Sequence, residues 1–149
     1  MALDQLIHEL NRLQRRLYES FREFNTTQDN LDSAELKDYF FQQAAQRKGY
    51  YEAIREAIKD LGEIPKNVTR PFGDAADEIF TDLKTMFSGE DDKLILQEAH
   101  LTEERLLGAY DQVLSVKSLP AGLGAVLREQ RAEVDRDYAE IGRELERLG

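Results

Sequence analysis

Apolar residues recur three and four positions apart along almost the whole chain. The first run reads Leu3, Leu6, Ile7, Leu10, Leu13, Leu17, Phe21 and Phe24. A helical period held over roughly six turns predicts one long amphipathic helix. It is expected to stop in the polar stretch Asn25 to Asn30, where turn formers gather. A second helix follows, its start marked by Asp32 or Ser33 as N-cap, with Glu35 three residues after Asp32 as in a capping box. Its apolar face is Leu36, Phe40, Ala44, Tyr50, Tyr51, Ile54, Ile58 and Leu61. Gly62 is a natural C′ stop, with Pro65 just beyond.

The stretch from Glu63 to Gly73 is irregular and carries Pro65 and Pro71. A short helix is expected from Asp74 to Phe87, and the acidic Ser88 to Asp92 segment then caps the next long helix. That helix, from Asp92 to Val116, has the stripe Ile95, Leu96, Ala99, Glu103, Leu106, Tyr110, Val113 and Leu114. Pro120 suits the first turn of a last helix with Leu123, Leu127, Val134, Tyr138, Ile141, Leu145 and Leu148 inward. Gly122 and Gly124 should weaken its first turn.

The expected fold is therefore all-α, one domain over residues 1–149, with four long helices. Short first–second and third–fourth connections make antiparallel hairpins, and the long middle connection, with its short extra helix, can run the length of the bundle. Two hairpins joined by one long crossover is the ferritin-like arrangement of a four-helix bundle.

Composition narrows what such a bundle does. The 149 residues include no cysteine, which excludes disulfides, thiolate metal sites and a cysteine nucleophile. The net charge of -10 argues against a nucleic-acid partner, since phosphate neutralisation needs a basic surface. No apolar run is long enough for a membrane span, and the start lacks a signal-peptide core, so a cytoplasmic location is expected.

Ferritin-like bundles that hold two metals use a Glu from each of two helices and Glu-x-x-His from the other two. Only His8 and His100 are present, and neither completes that motif. Glu9, Glu19 and Glu23 stand off the first helix's stripe, and the middle of the second helix offers Gln43, Gln46 and Arg47 in place of a carboxylate. The complete ligand set is missing, so no metal is favoured. If one binds, iron or manganese at Glu103, His100 and Asp137 is the expected set, with Glu104 and Glu133 nearby. A surface His100 beside solvated acids is the favoured reading of that cluster.

Glu103 is the most informative residue, because a carboxylate on an apolar stripe must be paired, hydrogen-bonded or protonated. Arg47 is its best partner, and the two are expected to form a structural polar core. The tyrosines, Tyr18, Tyr39, Tyr50, Tyr51, Tyr110 and Tyr138, read as rim residues with wet hydroxyls. Arg12, Arg15, Arg16 and Arg22 alternate with acids and read as an ion-paired solvated face. Gly89 to Asp92 lacks the alternating ligands and distal Glu of a calcium loop. No phosphate loop or Ser-His-Asp set is present, so no reaction can be named and the balance leans away from an enzyme.

The chain resembles an uncharacterised, mostly bacterial family of ferritin-like four-helix-bundle proteins catalogued as a domain of unknown function. The residues that carry the likeness are Leu36 to Phe40, Ala44, Arg47, Tyr50, Leu61-Gly62-Glu63 and Pro65. In the second half they are Asp82-Leu83-Lys84, Gly89, Asp91-Asp92, Leu96, Glu103, Tyr110 and Leu119-Pro120. The resemblance implies the fold, with Arg at Arg47 and Glu at Glu103, but no reaction. Relatives tend to carry a Gly-containing turn followed by Tyr where this chain has Leu13, Arg16 and Leu17, and a His near Asp137. Both departures make a metal less expected here. The expected function is a non-enzymatic bundle acting through protein contacts or as a homo-oligomer, with an exposed apolar strip on the first or the short helix as its contact surface. The alternative is a ferritin-type metal-binding oxidase or storage protein linked to stress. A carrier that opens its interior to an apolar ligand is a third reading, which the sequence neither supports nor excludes.

Overall fold

The computed structural model describes residues 2–28, 31–66 and 92–149. They form α1 (Ala2–Thr27), α2 (Ala34–Asp60), α3 (Asp92–Leu114) and α4 (Ala121–Leu148), with no strand among the described residues. The short helix expected at Asp74 to Phe87 lies outside them, as do residues 89–91 of the expected cap.

Two apolar clusters fill the interior. One gathers Leu6, Leu10, Leu13 and Leu17 of α1 with Ile54, Ile58, Leu106, Tyr110, Val113, Leu127 and Val134. The other gathers Phe24, Leu31, Phe40, Ala44, Ile95, Leu96, Ala99 and Ile141. Chain order through the clusters gives the direction of every helix. α1 and α4 run from the first cluster to the second, whereas α2 and α3 run from the second to the first. α2 ends at one end of the bundle and α3 begins at the other. The closely packed neighbours are α1 with α2, α3 with α4, and α1 with α3. α2 and α4 close the ring but approach less closely.

The helix ends follow local chemistry. Ser33, not Asp32, is the N-cap of α2, and its hydroxyl accepts from the Leu36 N–H at 3.2 Å. Asp32 instead gives its own N–H to Asp92 Oδ1 at 2.9 Å, which ties the start of α3 to the start of α2. A capping box built on Asp32 is therefore not formed. At the far end Gly62 takes φ +87, a left-handed value that favours glycine. The Glu63 N–H bonds Ile58 O and the Gly62 N–H bonds Lys59 O, which is a Schellman C-cap. α1 runs on through Asn25 to Thr27, further than its polar sequence suggests. The Thr26 and Thr27 hydroxyls bond the carbonyls one turn back and need no other partner. α3 stops at Leu114, two residues short of Val116. At the start of α4, Gly124 is buried against Leu119, whose Cδ2 would lie 3.3 Å from a Cβ at that position.

The start of the crossover is anchored to α1 by two buried amides. Asn11 Oδ1 accepts the Lys66 N–H at 3.0 Å, and Gln14 Nε2 donates to the Lys66 carbonyl at 3.0 Å. Arg55 of α2 adds bonds to the same carbonyl and to Gln14 Oε1. These polar residues are buried because they satisfy a peptide that has left the helix.

Candidate functional site

Between the two apolar clusters each helix contributes a polar residue to one layer. On α1 it is Ser20, between Leu17 and Phe24. On α2 it is Arg47, between Ala44 and Ile54. On α3 it is Glu103, between Ala99 and Leu106. On α4 it is Asp137, between Val134 and Ile141. Four helices of similar length with one off-pattern residue at the same height make a continuous polar plane inside an apolar bundle.

Arg47 is the hub, and its side chain is wholly buried. Its Nη2 lies 3.2 Å from Glu103 Oε1 and 2.9 Å from Asp137 Oδ2. Its Nε donates to Ser20 Oγ at 3.2 Å, and Nη1 donates to Gln46 Oε1. Ser20 passes the contact on, donating to Glu103 Oε1 at 2.9 Å. Asp137 Oδ1 accepts the Tyr39 phenol at 2.8 Å. The Phe24 ring covers the guanidinium, its centroid 5.5 Å from Cζ, and meets Phe40 edge-on at 4.8 Å.

The electrostatics follow from this arrangement. Burial opposes the charge on Arg47, but Glu103 and Asp137 outweigh it and push its pKa up, so it stays a cation. Burial likewise pushes the Glu103 carboxyl up, against the pull of Arg47 and the Ser20 hydroxyl. The Tyr39 phenol is pushed up by burial and by the charge of Asp137. Two turns toward the first cluster, Tyr110 donates to Gln130 Oε1 at 2.8 Å. Tyr110 is fully buried, which corrects the reading of this tyrosine as a wet rim residue.

The residues expected as metal ligands do not share one surrounding. Glu103 and Asp137 meet on the guanidinium of Arg47. His100 stacks flat on Tyr138, ring centroids 3.9 Å apart. Glu104 is exposed, and Glu133 pairs with Arg136 on its own helix. Among the described residues no group of three or more His, Asp or Glu side chains converges as a metal cage would require.

Glu23 was read as lying off the apolar stripe, and it is only 3% exposed. Ser20, Glu23, Phe24 and Thr27 are all buried and share one face of α1. Glu23 Oε1 and Glu103 Oε2 are buried without a hydrogen-bond partner.

The looser α2/α4 face carries two clefts on either side of the Arg47–Asp137 contact. One, of about 210 Å³, is lined by Leu36, Tyr39, Leu96, Ile141 and a rim of Glu35, Glu140, Glu144 and Arg147. The other, of about 500 Å³, is lined by Gln46, Tyr50, Val126, Glu129, Gln130 and Glu133. The Arg15 and Arg16 side chains pair with Glu19 at 3.8 and 2.9 Å on the outer face of α1. No helix among the described residues is long and apolar enough to cross a membrane.

No curated protein and no solved structure matches the chain. Residues 5–116 match the family described as Domain of unknown function (DUF2383). The match covers most of the chain, and the protein belongs to this family.

Proposed function

We propose that this protein is a non-enzymatic ferritin-like bundle of the bacterial cytoplasm in which an ion-paired arginine stands where a ferritin holds metal. It acts through its surface, on a protein partner or a second copy of itself. The helix order and directions support the ferritin-like reading, since α1/α2 and α3/α4 are antiparallel hairpins and α3 begins at the opposite end of the bundle from the end of α2. The observation that carries the proposal is the position of Arg47. Its guanidinium lies between the inward carboxylates of α3 and α4 and pairs with both. A divalent cation there would have to displace a fixed positive charge at contact distance, which the low-dielectric interior opposes.

The surface half of the proposal rests on exposed apolar side chains. A contact strip was expected on α1, but the described part of α1 exposes only one large apolar residue, Leu3. The stronger features are Phe41 of α2, 61% exposed, and Leu94 with Leu101 of α3, two turns apart on one face. Exposed aromatics of this kind are what a protein contact covers.

Elemental mass spectrometry after anaerobic loading with Fe(II), Mn(II) or Zn(II) and desalting tests the central claim. Less than about a tenth of a metal per chain is expected in the wild type and in Glu103→Ala. One or two metals per chain, lost in the variant, would replace this reading with the ferritin-type oxidase or storage protein. Sedimentation velocity tests the surface claim. Self-association that Phe41→Asp abolishes is expected, and a monomer at every concentration turns the search to a different protein.

A further inference from the structure

We infer that Glu23 is held as a neutral acid at neutral pH, so that the α1/α3 seam is a latch closed by one proton and released by alkali. Three structural facts carry this. Glu23 is 3% exposed, and its Oε1 has no hydrogen-bond partner. It sits on the inward face of α1, flanked by buried Ser20, Phe24 and Thr27, so α1 cannot rotate it into water without exposing Phe24. The charged groups that act on it from α3 are Glu98 and Glu103, both acidic.

Among the described residues the other elements pair no cation with Glu23. α2 presents Arg47, whose charge is engaged by Glu103 and Asp137. α4 presents Asp137, a further carboxylate of the layer. On α1 the flanking turn carries Glu19, which serves Arg15 and Arg16, and Arg22 stands next to Glu23 in the chain. An ionised Glu23 would therefore set its charge against those of Glu98 and Glu103. Binding a proton removes that charge at the smallest structural cost. Burial first, then Glu98 and Glu103, push the Glu23 carboxyl up to about 8.

The sign of the pH dependence follows. A carboxyl whose folded pKa is raised binds its proton more tightly folded than unfolded. Its contribution to stability is complete below its ordinary value of 4.5 and is lost as pH rises through about 8. Between pH 6 and pH 9 the folded-to-unfolded ratio should fall roughly a hundredfold from this group alone.

Two measurements on the full chain test the latch. A carbon-13 NMR titration of carboxyl-labelled glutamate should show one glutamate with a midpoint near 8, absent in Glu23→Gln. Urea unfolding at pH 6 and pH 9 should show the wild type losing far more stability than Glu23→Gln, which keeps the shape of the acid without its charge. A wild-type spectrum with no glutamate titrating above pH 7 overturns the inference, and that spectrum decides even if the variant fails to fold. A variant that loses as much stability as the wild type between the two pH values also overturns it.

Discussion

The two seams that flank the polar layer handle buried charge in opposite ways. Along α2/α4 the helices stand further apart, clefts open above and below, and the charged groups at the crossing point are paired. Arg47 bonds Asp137, and Asp137 takes the Tyr39 phenol as well. Along α1/α3 the helices pack closely, and two carboxylate oxygens, on Glu23 and Glu103, are left without partners. Close packing gives apolar contact but leaves no room for a countercharge. Looser packing admits a long arginine with its acceptors. Charge is thus neutralised by an ion pair on one seam and, on our inference, by a proton on the other.

The largest expected effect comes from removing the shared cation. Arg47→Met leaves Glu103 and Asp137 buried near each other without a countercharge, and should cost about 3–5 kcal/mol in urea unfolding at pH 7. Adding Glu103→Gln should return part of that loss, because the neutral amide keeps its shape and drops one charge. If the single and double variants are equally unstable, Arg47 acts by packing over Phe24 and the layer is not electrostatically organised.

Asp137→Ala should come next, at about 1.5–3 kcal/mol, the range for a bond to a charged group. It severs both side-chain contacts that Arg47 and Tyr39 make across α2/α4. Amide exchange should then quicken in α2 and α4 around Tyr39 and Asp137, while α1 and α3 keep their protection. Equal loss of protection in all four helices would show that the seams do not behave separately.

A smaller effect sharpens the α1/α3 side. Glu98→Gln removes one of the two negative charges that raise the Glu23 carboxyl. The folded pKa should move down toward 4.5, and the stability lost between pH 6 and pH 9 should shrink. The same titration of glutamate carboxyls reads this as a lower midpoint.

How far this contrast could be read in the sequence depends on the helix. The apolar stripes of α2, α3 and α4 mark their inward faces, because each buries one main arc and the period repeats over many turns. Arg47 and Glu103 stand out because each is a charge at a position the stripe reserves for an apolar side chain. α1 differs in that its buried arc is wider than the line through its leucines. That is why Asn11, Gln14, Ser20 and Glu23 are buried although they look peripheral. A signal was available at Ser20, which falls where the spacing from Leu17 and to Phe24 calls for an apolar residue. Nothing local distinguishes buried Glu23 from Glu19, which serves exposed arginines one turn earlier. The role of Asp137 was also open, since a carboxylate near a stripe fits a metal, an arginine or solvent until the facing helix is known.

The smallest expected effect separates the polar layer from an ordinary buried hydrogen bond. Tyr110 and Gln130 form a neutral pair two turns from the layer, joined at 2.8 Å. Tyr110→Phe keeps the ring in the core and leaves the Gln130 carbonyl without its donor, so the loss should be about 1 kcal/mol. Because no charge is exposed or buried by the change, that loss should be the same at pH 6 and pH 9. Equilibrium urea unfolding of the variant at both values measures it. A loss that grows with pH would mean that the layer's charge reaches Gln130, so that the neutral pair belongs to the same electrostatic unit as Arg47.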